Sequence, residues 1–196
     1  MRFRDIPQYT RWATYAVDVS WSYLKRHVQM HVEEYGLNLD PDFQRGYVWT
    51  PEQKVRYVEF VLQGGAGGRD IQTNHPNWNG SLMTGDYVLV DGKQRLNAVL
   101  GFLDNDFPIF GGNYLRDYED APHILTARFR WHVNDLATRT EVLQWYLDLN
   151  AGGTVHTAAE LDKVRGMISE AVLIPKPKAP VKKAPAQKKP KRGYSK

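Results

Sequence analysis

No cysteine occurs anywhere in the 196 residues. That excludes disulfides, thiolate metal sites and cysteine nucleophiles together, and it suits a reducing cytoplasm, the compartment expected for this chain. Also missing is any apolar run near the roughly 18 to 20 residues that a membrane-spanning helix needs. The opening Met1-Arg2-Phe3-Arg4-Asp5 has no apolar stretch behind it, so neither a signal peptide nor a membrane partner is expected. Between Pro175 and Lys196 there is no acidic residue and almost no apolar side chain, but there are eight Lys and one Arg. Such a segment cannot bury enough surface to offset its ordering entropy, so a disordered Lys/Pro-rich tail is expected over 175–196.

Those nine tail charges exceed the net +4 of the whole chain, which leaves residues 1–174 at −5. The pI near 9.2 therefore describes the tail and not the body. Sequence-independent affinity for DNA or RNA is expected in the tail, falling steeply with salt through counterion release. The body has the material for a core: 42% hydrophobic residues, with 6 Trp, 11 Tyr and 7 Phe.

Punctuation along the body predicts several elements. Ser20 opens a helix running to Tyr35, with Leu24, Val28, Val32 and Tyr35 on one face and Gly36 as its stop. Thr50-Pro51-Glu52-Gln53 combines a capping box with proline at the first helical position. It predicts a helix that turns Val55, Val58, Val61 and Leu62 inward and ends at Gly64-Gly65. Tyr87 to Val90 reads as a buried strand, followed by a turn at Asp91-Gly92 and a helix carrying Leu96, Val99, Leu100 and Leu103. A box from Thr138 to Glu141 precedes the stripe Val142, Trp145, Tyr146 and Leu149. Another, Thr157 to Glu160, opens a last helix with Leu161, Val164 and Ile168; Ala127 to Val133 suits a strand. Short strands mixed with helices point to an α+β fold, one domain over 1–174.

The chemistry-bearing candidate is Asp91-Gly92-Lys93-Gln94-Arg95, between that strand and its helix. The first N–H groups of a helix lack internal partners and can receive an anion. Gly92 admits close backbone approach, Arg95 can grip phosphate oxygens as a fork, and Lys93 can add a mobile charge. Asp91 can hold a divalent ion on the phosphate or position a water. The same residues suit a plain helix start in which Asp91 caps and both cations are solvated; on spacing alone that is the simpler reading.

The segment resembles the Asp-Gly-x-x-Arg signature of the ParB/sulfiredoxin superfamily. Pro41-Asp42-Phe43-Gln44-Arg45-Gly46-Tyr47-Val48-Trp49 is similar to the Pro-x-Phe-Gln-Arg-x-x-x-Trp stretch of one branch, the domain-of-unknown-function family 262. Asn150-Ala151-Gly152-Gly153-Thr154 resembles that branch's Asn-x-Gly-Gly-Thr segment. Lys93 stands where the branch usually has Gln. The resemblance implies a small mixed sheet with packed helices that binds, and hydrolyses, a nucleoside triphosphate with Mg²⁺. Gln44, Arg45, Gly92, Lys93, Gln94, Arg95 and Asn150 would contact the nucleotide, and Asp91 would be the catalytic and metal-binding carboxylate. Relatives act in DNA partitioning or in restriction, where a second nuclease domain usually follows. There is no room here for that domain, so a stand-alone nucleotide-dependent switch is expected; a non-enzymatic DNA-binding or protein-interaction module of the same fold is the alternative. For Arg45 the resemblance favours the phosphates over a surface ion pair. Asn150 either orders a loop over the site or caps its helix.

Other motifs carry less. Gly64-Gly65-Ala66-Gly67-Gly68 follows a helix and lacks the Gly-Lys-Ser/Thr ending of a phosphate-binding loop. His27 and His31 have zinc-ligand spacing but no general base between them, and a half-exposed face is expected for them. Ser81 lacks the Gly-x-Ser-x-Gly frame of a nucleophile elbow.

Overall fold

The computed structural model describes residues 2, 6–10, 15–80, 84–120, 126–150 and 158–173. The expected tail, Thr157 and the Gly152-Gly153 pair lie outside them. In chain order the elements are β1 (Tyr15–Ser20), α1 (Trp21–Glu33), α2 (Pro51–Leu62), β2 (Asp70–Asn74), β3 (Val88–Asp91), α3 (Lys93–Leu103), β4 (Arg128–Asn134), α4 (Arg139–Asn150) and α5 (Ala158–Leu173). The four strands form one mixed sheet in the order β1-β4-β2-β3. Its outer pairs are antiparallel, while β2 and β4 run parallel. The fold is α+β, as expected.

Strand side chains alternate between two faces, and both faces of β3 are used. Leu89 joins Phe129, Trp131, Val133 and Ile71 in a large core that α1, α2 and α3 cover with Trp21, Leu24, Val58, Val61, Val99 and Phe102. Val90 points the other way, into a smaller core with Phe43, Leu143, Trp145, Tyr146 and Val164 from the loop before α2 and from α4 and α5. The end of β3 thus lies where two cores meet.

The helix starts follow local chemistry. Both halves of the Thr50/Gln53 capping box form, with Pro51 in the first turn. Glu141 and Thr138 bond reciprocally at the start of α4. Ser20 occupies the N-cap position of α1 but makes no capping bond; its hydroxyl pairs with that of Ser22. Val55, Leu62 and Leu100 are only partly buried against the large core, and Leu149 is exposed.

Three expectations need correction. Strands β1 and β2 carry no strong apolar alternation and are not anticipated. In β2 only Ile71 is apolar; Thr73 and Asn74 are buried by bonding to the carbonyls of His132 and Leu136, so hydrogen bonding replaces the hydrophobic pattern. The buried face of α1 is Trp21, Leu24, His27, Val28 and His31, whereas Val32 and Tyr35 are exposed. The helix ends before Tyr35, and the two histidines, expected on a half-exposed face, are 6% and 3% exposed.

These histidine rings lie 4.2 Å apart, packed on Trp131. His31 Nδ1 is 2.8 Å from the Tyr87 hydroxyl, while His27 Nε2 is buried with no partner among the described residues. Burial lowers both imidazoles to about 4, and for His31 the neighbouring His27 adds to the effect. The unfolded chain, titrating near 6.5, then takes up these protons before the folded one does. Stability from this pair is complete above about pH 6.5 and is lost as pH falls toward 4. Urea unfolding should show a loss on the order of 2–3 kcal/mol per ring between pH 7 and 4.5, a window above most carboxylate titration. A flat stability over that window would contradict neutral burial of the pair.

Candidate functional site

The site begins with a backbone requirement. Strand β3 ends at Asp91, and Gly92 adopts φ 102° before α3 starts at Lys93. Positive φ disfavours any side chain there, and a Cβ on Gly92 would also meet Ile71 Cδ1 at 2.6 Å and the Asp70 carbonyl oxygen at 3.3 Å. The Leu96 N–H returns to the Gly92 carbonyl, so the N–H groups of the first turn, ahead of Leu96, have no partner within the helix.

Around this corner opens a cleft of about 150 Å³ that is lined by all eight residues singled out from the sequence: Gln44, Arg45, Asp91, Gly92, Lys93, Gln94, Arg95 and Asn150. Trp49, Val90, Tyr146 and Leu149 complete the walls. None of these four is among the site residues expected from the sequence, where Tyr146 and Leu149 are positions of a helical stripe.

The five motif residues divide their work. Arg95 Nη2 donates to Asp91 Oδ2 at 2.6 Å and to the Asp70 carbonyl at 3.0 Å, while Arg95 Nε is buried without an acceptor among the described residues. Asp91 is therefore ion-paired and does not simply cap the helix. Lys93 differs from the mobile charge expected of it. Its side chain is 4% exposed and its ammonium pairs with the carboxylate of Asp40. The same ammonium donates to the Arg45 carbonyl at 2.9 Å and sits 4.8 Å from the centre of the Tyr47 ring. Gln94 is likewise occupied: its amide donates to the Gly46 carbonyl, and its oxygen accepts from the Val48 and Trp49 N–H groups. Lys93 and Gln94 thus act on the 45–49 loop, with Gln44 adding a bond to the Leu89 carbonyl.

That brace delivers Arg45 to the cleft, where nothing among the described residues pairs with its guanidinium. Tyr146 is buried behind it. Burial raises the Tyr146 hydroxyl above its ordinary range, opposed by the charge and backbone N–H of Arg45. Asn150 Nδ2 donates to the Tyr146 carbonyl, so its amide bonds the end of α4, consistent with a cap. The glycine-rich segment after α2 works as a stop, with Gly64 at φ 91°, and its Gly68 passes beside Arg95 and Tyr57.

Among the described residues no three His, Cys, Asp or Glu side chains gather to hold a metal. A resident ion does not fit this donor set. Asp91 could ligate a cation carried in on a phosphate, as Mg²⁺ commonly is.

Residues 28–131 match the model of a family described as the GmrSD restriction endonuclease, N-terminal domain. The match takes in both the Phe43-to-Trp49 stretch and Asp91-to-Arg95, and stops short of Asn150. No curated protein and no solved structure matches the chain.

If Gln94 holds the loop as its bonds indicate, Gln94→Ala should lower stability by about 1–3 kcal/mol by orphaning those groups. It should also speed hydrogen exchange at the Val48 and Trp49 amides while leaving β4 amides unchanged relative to global unfolding. Unaltered exchange in the loop would contradict the brace.

Proposed function

The chain belongs to the family of the GmrSD restriction endonuclease N-terminal domain, and on that premise we propose that it serves a restriction-related, DNA-related process as a nucleoside-triphosphate-binding and hydrolysing switch. The observation that carries this is the convergence of two guanidinium groups, Arg45 and Arg95, on a helix N-terminus opened by Gly92. Unpaired N–H groups and the helix dipole favour an anion at that end. Both arginines carry planar donors suited to phosphate oxygens.

For hydrolysis, water attacks the terminal phosphorus, a new P–O bond forms and the bond to the bridging oxygen breaks, so that the nucleoside diphosphate and inorganic phosphate leave and the water's proton passes to phosphate oxygen or solvent. Arg45 and Arg95 would stabilise charge gathering on the transferring oxygens. Asp91 would orient the water or face a cation that accompanies the nucleotide. When bound, that cation supplies charge neutralisation. Trp49 and Tyr146 offer apolar faces to the rest of the ligand. Nonspecific contact with nucleic acid is assigned to residues 175–196, since the body is net negative.

Calorimetric titration with each nucleoside triphosphate, together with inorganic phosphate release, tests the proposal. Arg45→Ala and Arg95→Ala should each weaken binding by about 1.5–3 kcal/mol, on the order of ten- to a hundredfold in Kd, with far-ultraviolet circular dichroism unchanged. Undiminished affinity in both folded variants would overturn the site.

A further inference from the structure

An aromatic patch lies at the other end of β2 from the cleft. Gly92 packs against the start of that strand at Asp70 and Ile71, whereas Trp78 follows its end at Asn74. Tyr15 and Tyr35 both pack on the Trp78 ring, each at 5.7 Å between ring centres. Tyr15, Tyr35 and Val32, three residues before Tyr35, are 43%, 36% and 38% exposed. Beneath them the buried rings of His31, His75 and Tyr87 support Trp78, so the row is rigid before anything binds. Adjoining exposed aromatics of this kind mark a contact surface.

The charge around the row has one sign. Residues 27–44 and 70–92, which supply Tyr35 and Trp78, contain no Lys and no Arg. Asp40 and Asp42 in these segments are taken by Lys93 and Arg139. Glu33, Glu34 and Asp86 are exposed and pair with no cation among the described residues. The two glutamates stand directly before Tyr35, at the end of α1, where the helix dipole is itself negative. Such a surface repels a nucleic acid and suits a cationic segment with apolar faces.

The chain carries a segment of that chemistry. Residues 175–196 hold eight Lys, one Arg and no acid, and Pro177-Lys178-Ala179-Pro180 sets two prolines three apart. Three residues make one turn of a polyproline helix, roughly 9 Å long, which puts both prolines on one side and turns Lys178 to another. Rows of aromatic rings receive that shape, and Tyr15, Trp78 and Tyr35 extend over two ring spacings of 5.7 Å. Reach is ample: at roughly 3.1 Å per residue the segment extends on the order of 60 Å, several times the roughly 16 Å radius of gyration of a folded body this long.

We infer that residues 175–196 dock on their own body, with the prolines on the Tyr15–Trp78–Tyr35 row and the lysines facing Glu33, Glu34 and Asp86. The inference is independent of the phosphate site, which lies at the opposite end of β2. It bears on nucleic acid, because lysines held by these carboxylates are not free for phosphates.

The sequence has no cysteine, so Ala184→Cys gives the full chain a single attachment point for a nitroxide spin label. Amide intensities with the label oxidised and reduced report which surface the tail visits. A contact with a Kd of only ~1 mM between separate molecules is about half-occupied once tethered, since a flexible link supplies an effective concentration near that value. The expected result is about a twofold loss of intensity at Tyr15, Glu33, Glu34, Tyr35 and Trp78, with the α2 amides unaffected. Glu33→Lys combined with Glu34→Lys exchanges attraction for repulsion at exposed positions and should restore most of that intensity, with circular dichroism unchanged. Should that variant fail to fold, salt decides: at about 1 M the Debye length is roughly 3 Å, and the intensity should return. Loss spread evenly over the body, or loss that survives high salt, overturns the docking. Equal loss in a mixture of spin-labelled chain and separate isotope-labelled chain places the contact between molecules and overturns it as well.

Discussion

The left-handed turn at Gly92 is the constraint on which the site depends. Its backbone packs so closely on Ile71 and the Asp70 carbonyl that no side chain fits, which fixes the last residue of β3 and the first of α3 relative to β2. Once that junction is set, successive side chains diverge. Lys93 and Gln94 reach back to the loop at 45–49, while Asp91 and Arg95 meet each other at the cleft. A five-residue motif thereby serves both as scaffold for the loop and as lining of the cleft.

Placement between two cores gives the cleft walls of different origin. Leu89 anchors β3 to the large core and Val90 to the smaller one. The floor at Gly92 belongs to the sheet; Tyr146 and Asn150 come with α4; Arg45 and Trp49 arrive on a loop that Lys93 and Gln94 hold.

Much of this was legible in the sequence where the signal is local. The Thr50 and Thr138 boxes, the strand–turn–helix order around Asp91 and the run from Arg128 each depend on neighbours within a few positions. Asp91, Gly92, Lys93 and Arg95 stand out because a helix start, a glycine and paired cations leave a recognisable spacing, whereas Gln44, Arg45, Gln94 and Asn150 come from a family resemblance. What was not legible depends on distant partners. Strand β2 is held by polar bonds to the chain around His132 and Leu136, so its sequence shows no apolar alternation. The inward turn of His27 and His31 follows from the rings of Trp131 and Tyr87. Lys93 reads as a free cation until Asp40 and the Arg45 carbonyl, far earlier in the chain, are brought to it.

The central claim is that one anionic ligand sits at the β3–α3 corner and touches the braced loop. Backbone amide chemical shifts, followed while Mg²⁺ and a nucleoside triphosphate are added to isotope-labelled protein, test it most directly. The account predicts the largest changes at Arg45, Trp49, Gly92, Lys93, Gln94 and Arg95, with β1 amides unmoved. Changes confined to α5 or to residues 175–196, with the Gly92 amide silent, would contradict it.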